Sequence, residues 1–322
     1  MPINCLVVSK RSEDLIFGKQ LADLHQMVCI NAPTVHEVST ALIENPRSIV
    51  LWDVDYQNVF HSSVPGHVAQ MSQTLANFVP PDQVFAISDE HLSSKPHLFS
   101  NRAFNHHIIR KFDETAAEVI GRIGLSCLSP DPFGMPLYLP SGTQVQNIQI
   151  IQAKQRAPAV EAVRNVFVKR GIPVRLAAAV AQATDELLMN AIFDAPVTEA
   201  GDAYRRQTDR TTDFALTGKE AILLQVASTP KYIAIAVTDQ FGSIKKDAVL
   251  RFIQNDYEKR QYTVKDDKIG AGLGIYGILR AGLSLHFVAA EKKKTQVMLF
   301  FPVLDNFKAF RNCFKFFSFH MK

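Results

Sequence analysis

The chain has 322 residues, of which 47% are hydrophobic and 20% charged, and its formal net charge is +4. That length exceeds one ordinary hydrophobic core, so two domains are expected. No apolar run reaches the roughly 20 residues that a membrane-spanning helix needs. The charge excess is local: Lys308, Arg311, Lys315 and Lys322 stand between Phe307 and Lys322 with no acid, and the remainder carries 31 residues of each sign. A general nucleic-acid binder would show a broad basic face instead.

The four cysteines form no C-x-x-C pair, and the ten histidines lack metal-ligand spacing. Reduced thiols and structural histidines are expected, not a zinc centre. Residues 1–15 hold an apolar patch, Cys5-Leu6-Val7-Val8, without a basic start or a small-residue cleavage site. No secretory leader is therefore expected, and a cytoplasmic location is.

Residues 1–128 alternate apolar runs with helical patterns. Strands are predicted over Asn4–Ser9, Met27–Asn31, Ser48–Trp52, Val84–Ile87 and His107–Ile109. Helices are predicted over Glu13–Leu24, Val35–Glu44, His67–Phe78 and Thr115–Leu125. Such alternation implies a parallel sheet covered on both faces, with functional groups at the carboxyl ends of its strands. Three of those ends carry Asp53, Ser88 and Lys111-Phe112. This resembles the receiver domains of bacterial two-component signalling, which place a phosphate-accepting Asp, a Thr or Ser, and a Lys at those strand ends. The likeness breaks at the first strand, where a receiver has two acids that hold Mg²⁺ and this chain has Ser9-Lys10-Arg11. A cation cannot replace a metal that bridges carboxylate and phosphate. A degenerate receiver-like domain used for docking or dimerisation is expected, with Asp53 paired to Lys10 or Lys111. A working phosphorelay through Asp53 is the disfavoured alternative. His36-Glu37 reads as part of a surface helix.

Residues 129–145 contain four prolines and two glycines, which break helix and strand alike and predict a stiff linker. Residues 146–306 follow as a second domain. Helices are predicted over Ala157–Arg170 and Val174–Ala195, and strands over Ala221–Val226, Tyr232–Thr238, Leu285–Ala289 and Gln296–Phe301. In the second helix, Glu186 and Asn190 are four apart and share a face. The pair reads either as solvent-exposed polar groups or as a base beside a metal ligand. The second strand ends in Asp239-Gln240-Phe241-Gly242-Ser243-Ile244, a carboxylate before a glycine turn. A charged segment, Asn255–Lys268, leads into Gly270-Ala271-Gly272-Leu273-Gly274-Ile275. Alternating glycines let backbone approach a ligand, and a helix start behind them offers free N–H groups to a phosphate.

The order E-x-x-x-N, strand-end Asp with a Gly turn, charged lid, GxGLGI and a Thr opening a last strand resembles the ATP-binding domain shared by histidine kinases, anti-sigma-factor kinases, gyrase and Hsp90-type chaperones (the GHKL type). The resemblance covers about half the chain and implies an α/β sandwich with a mainly antiparallel sheet and helices on one face. It also implies ATP and Mg²⁺ as cofactors. Carried over by position, Glu186 is the general base, Asn190 the Mg²⁺-coordinating residue, and Asp239 the acceptor for the adenine amino group. Gly242 lies in the turn under the base. Gly270, Gly272, Leu273 and Gly274 belong to the loop around the phosphates, and Thr295 assists at the adenine. Lys265, Lys268 and Arg210 are placed where they could reach phosphate. One departure is that two glycines of the Asp turn are replaced by Phe241 and Ser243, which puts the turn's shape in question.

Within this family the chain is expected to have neither the two-helix segment of a complete histidine kinase nor the large following domains of gyrase and chaperone relatives. It is nearest to the anti-sigma-factor serine kinases. The expectation is an ATP- and Mg²⁺-binding bacterial signalling regulator that phosphorylates a serine or threonine on a partner protein. A non-catalytic ATP-dependent binding switch is the alternative. A regulatory protein partner and a homodimer are expected, without nucleic acid or a transmembrane segment. In the tail, residues 307–322, Phe307, Phe310, Phe314 and Phe317 recur at helical spacing beside Lys308, Arg311 and Lys315, which predicts a basic amphipathic helix packed on its own domain or across a dimer. A peripheral membrane or partner contact is the alternative.

Overall fold

A computed structural model describes residues 2–55, 66–90, 101–251, 277–279 and 281–322. The chain is mixed α/β and divides into two compact units. The first comprises Met1–Leu139 with Cys313–Phe319, and the second Pro140–Asn312 with His320–Lys322.

The first unit runs β1 (Asn4–Val8), α1 (Ser12–Leu24), β2 (Val28–Asn31), α2 (Val35–Glu44), β3 (Ser48–Asp53), α3 (Gly66–Phe78), β4 (Val84–Ser88), β5 (His106–Ile109) and α4 (Glu114–Cys127). Parallel pairing sets the order β2-β1-β3-β4-β5. Every residue of β1, β3 and β4 is buried, which is why these strands read as continuous apolar runs and not as alternating ones. Close helix–sheet approach needs small residues: a Cβ on Gly124 would come within 2.5 Å of Ile49 Cδ1. At the start of α2, Glu37 closes a capping box with Thr34 and so serves the helix terminus. Because β1 lies between β2 and β3, the connections leave it in opposite directions. The crevice that this reversal opens lies at the carboxyl ends of β1 and β3.

The second unit runs β6 (Val145–Ile150), α5 (Arg156–Lys169), α6 (Val174–Met189), β7 (Ile222–Ser228), β8 (Tyr232–Asp239), β9 (Ser284–Ala290), β10 (Lys294–Pro302) and α7 (Phe307–Asn312). Its strands pair antiparallel in the order β6-β7-β8-β10-β9. Helix α5 packs on α6, and α6 lies against β8.

Two expectations change. The 129–145 segment is not a free linker. Its first part folds onto the first unit, with Met135 and Tyr138 fully buried and the Tyr138 hydroxyl donating to the Pro132 carbonyl at 2.7 Å. Its last residue, Val145, begins β6. Prolines stop regular structure but do not prevent burial, and an apolar Met-x-Leu-Tyr turn finds a core. The predicted amphipathic helix of the tail forms only in its first part, where it packs on its own unit. Helix α7 ends at Asn312, and a strand, β11 (Phe316–Met321), follows. β11 pairs antiparallel with β5 through Phe316↔Ile108, Phe317↔His107 and Ser318↔His106. Phe310 stacks on Phe301, and Phe314, Phe316, Phe317 and Phe319 are buried, so the aromatic face proposed for a membrane or partner is core. Aromatic residues favour strands when an edge is open to them, and β5 provides one.

Candidate functional site

The second unit encloses a cavity of about 240 Å³ lined by residues of α6, β8, β10 and the turn after β8. Its wall includes Asn190, Asp239 and Thr295, drawn from three separate elements, and the apolar side chains of Leu187, Val237, Val249 and Val297. Helix α6 does not end as a regular α-helix. Over Asn190–Asp194 the turn widens, with the Ala195 N–H donating to the Asn190 carbonyl at 2.8 Å. Such a π turn shifts the side-chain register at the point where it occurs. Here both Asn190 and Asp194 line the cavity. Asn190 Nδ2 is buried without a hydrogen-bond partner.

Asp239 closes β8, with Thr295 directly opposite in the β8–β10 ladder. Asp239 Oδ1 accepts from the Phe241 N–H at 2.8 Å and, more loosely, from the Gly242 N–H at 3.4 Å. Burial pushes its carboxyl up to about 6, and those two backbone donors work against the rise. Thr295 Oγ1 is buried, faces the same carboxyl and also works against the rise. The cavity thus brings together a buried hydroxyl, an orphaned amide nitrogen and a desolvated carboxylate, the kind of polar set that orients a ligand in an apolar pocket.

The departures at Phe241 and Ser243 leave this turn intact. The bond to Asp239 comes from the Phe241 backbone, which any residue supplies, while its ring is buried edge-on to Tyr204 with centroids 6.5 Å apart. Only Gly242 is constrained. It sits at φ +60°, and a Cβ there would lie 2.0 Å from the Ala290 carbonyl oxygen and 2.7 Å from Lys293 N. Gly242→Ala is expected to destabilise the protein by about 2–4 kcal/mol, since a strained dihedral and a backbone clash add. Urea unfolding of the variant measures it, and a loss under about 1 kcal/mol would show that the turn yields.

The other expected residues are placed differently. Glu186 is on α6, one turn before Asn190, and does not line the cavity. Burial raises its pKa, Asp185 adds to the rise, and Arg210 opposes it. Asp185 is held by Arg156 Nη1, 2.9 Å from both carboxylate oxygens, which ties α6 to the start of α5. Gly270, Gly272, Leu273, Gly274, Lys265 and Lys268 lie outside the described residues. Three polar liners were not anticipated: Asp194, Arg206 and Lys245. For Asp194 a signal existed, because it continues the four-residue spacing of Glu186 and Asn190.

At the carboxyl ends of the first unit's strands, a charged cluster fills the position expected of a phosphate acceptor. Arg110, 2% exposed, follows β5. Its Nε donates to Asp14 Oδ1 at 2.8 Å and its Nη2 to Asp53 Oδ1 at 2.5 Å, and Nη1 bonds Asp89. Arg11 Nε lies 3.2 Å from Asp53 Oδ2. The ion pairs seen at Asp53 are with Arg110 and Arg11, where the sequence pointed to Lys10 or Lys111. An arginine fork engages several carboxylates at once, which a lysine cannot do. Burial works against the charge on Arg110, but the bond to Asp14 and the attraction of Asp53 and Asp89 outweigh it and raise its pKa. Asp53, with no exposed side-chain surface, has a pKa raised by burial and held down mainly by Arg110. Nearby, Ser88 Oγ lies 2.7 Å from His107 Nε2, and His106 is engaged by Ser318 Oγ and the Asp82 carbonyl. Both histidines are thus structural. Among the described residues, no group of three His, Cys, Asp or Glu side chains could hold a metal ion, and none of the four cysteines is in a disulfide.

Compared with known proteins, the chain matches no family model, and no curated protein matches it significantly.

Proposed function

We propose that the second unit is a histidine-kinase-like ATP-binding domain, nearest to the anti-sigma-factor serine kinases, and that the first is a receiver-like module without phosphoacceptor chemistry. The observation that carries the reading is the convergence of Asn190, Asp239 and Thr295, from three separate elements, on the wall of one cavity. In this reading Asp239 accepts the amino group of the base through Oδ2, since Oδ1 is taken by the turn. Thr295 adds a hydroxyl at the same end. Asn190, one helical turn after Glu186, holds the metal that accompanies the triphosphate. Mg²⁺, when bound, neutralises phosphate charge and orients the terminal phosphoryl group. Glu186, with its raised pKa, takes the proton of an incoming hydroxyl. The fully engaged state of Asp53 supports a docking role for the first unit. A cytoplasmic regulator acting on a partner protein, as a homodimer, fits this scheme.

A second reading, a binding switch without phosphoryl transfer, is favoured by one observation: Glu186 does not line the cavity. The test is ATP binding by calorimetry with and without Mg²⁺, together with turnover of labelled ATP. Wild type is expected to bind ATP about tenfold tighter with Mg²⁺, and Asn190→Ala is expected to lose that difference. Glu186→Gln is expected to keep binding and lose turnover by about 100-fold or more. Equal, negligible turnover in wild type and Glu186→Gln, with binding intact, selects the switch. Absence of ATP binding in wild type rejects both readings.

A further inference from the structure

Asp194 is the last residue of the π turn that follows α6. Its side chain is 4% exposed, and neither carboxylate oxygen accepts a hydrogen bond. A buried carboxylate needs compensation. Arg206 Nε approaches Oδ1 at 3.4 Å, and Arg210 Nη2 approaches Oδ2 at 3.6 Å. Both are close enough to balance the charge, yet neither is hydrogen-bonded. The guanidiniums are tethered, not consumed: their side chains are 52% and 37% exposed, and each presents a planar fork of five donors.

Their positions matter as much as their charge. Arg206 lines the cavity with Asn190 and Asp239. Arg210 acts electrostatically on Glu186 as well as on Asp194, and its guanidinium lies 5.6 Å from the Phe193 ring centroid. Two cations share one carboxylate, so the trio keeps a net positive charge beside the polar stripe Glu186, Asn190, Asp194. Phosphate oxygens are the acceptors that match paired guanidinium forks. A tether that holds the forks before a ligand arrives lowers the entropy lost on binding.

We propose that Arg206 and Arg210 bind the phosphate chain of the nucleotide and that Asp194 is the positioning residue that holds both over the site. The proposal rests on the nucleotide reading given above. It assigns anion recognition to the polar stretch that follows the π turn, using residues within the described part of the site.

Calorimetric affinities for adenosine and for ATP, measured on the full chain, test it. The Arg206→Ala/Arg210→Ala double variant is expected to lose about 30-fold or more in ATP affinity and to keep adenosine affinity within about twofold. Asp194→Asn keeps the shape and removes the charge. It is expected to lose about fivefold for ATP and nothing for adenosine, because the forks remain but are no longer held. Retained adenosine binding shows in the same experiment that each variant is folded. An unchanged ratio of ATP to adenosine affinity in the double variant overturns the proposal while leaving the nucleotide site standing. Equal loss of both ligands in Asp194→Asn makes that residue structural and overturns its positioning role. A wild type that binds neither ligand removes the nucleotide reading, and this proposal with it.

Discussion

Asp239→Asn is expected to make the protein more stable at neutral pH while costing it its nucleotide. The folded carboxyl titrates at about 6, above the roughly 3.9 of an unfolded Asp. A raised folded value means that protonation favours the folded state. The contribution is present in full below about pH 4 and is lost as pH rises through about 6. At pH 7.5 the buried, ionised Asp239 therefore costs about 1–3 kcal/mol. Asparagine carries no charge, can still accept from the Phe241 N–H, and can donate to Thr295 Oγ1. Urea unfolding should show the variant about 1–3 kcal/mol more stable at pH 7.5, with the gain gone at pH 4. In the same variant ATP affinity should fall about 100-fold, since an amide that uses its oxygen for the turn presents only donors to an amino group. Increased stability with unchanged affinity would remove Asp239 from the binding site. Lower stability at pH 7.5 would show that its charge is compensated.

Arg110→Ala is expected to have the largest effect on folding. The side chain links Asp14, Asp53 and Asp89, and the first two have no exposed side-chain surface. Removing one partner of a buried charge network leaves the rest uncompensated, at about 3–5 kcal/mol. Burial already raises the pKa of Asp53, and Arg110 is the main influence holding it down. The raised group supplies stability at low pH that is lost as pH rises through its folded value. Without Arg110 that loss deepens, so the penalty should grow from about pH 4 upward. Urea melts at pH 4.5 and pH 7.5 check this, and a penalty independent of pH would exclude the electrostatic explanation. Arg110→Lys should recover only part of the loss, because one ammonium cannot serve three carboxylates in a fixed fork.

How far the chain could be read in advance differs from element to element. β1, β3 and β4 were visible as unbroken apolar runs, since burial on both faces removes any need for polar alternation. Glu186 and Asn190 were visible as a pair because helical spacing fixes which residues share a face. Asp194 continues that spacing, but the π turn that delivers it to the cavity has no simple signature. Phe310, Phe314 and Phe317 satisfied a helical period, yet the same aromatic run suits a strand, and the open edge of β5 settled which would form. Asp14, in the first turn of α1, is fully buried, and no local pattern announces it.

Elements and their order follow from patterns that need only a few neighbouring residues, and for that reason an α/β chain with two units could be expected from the linear order alone. Pairing across long separations obeys a different logic. Arg110 meets Asp14 across 96 positions, and β11 returns to β5 from the far end of the chain. Neither meeting has a local propensity behind it. Each follows from the cost of burying a charge or a strand edge without a partner, and that cost exists only once the surrounding core has formed.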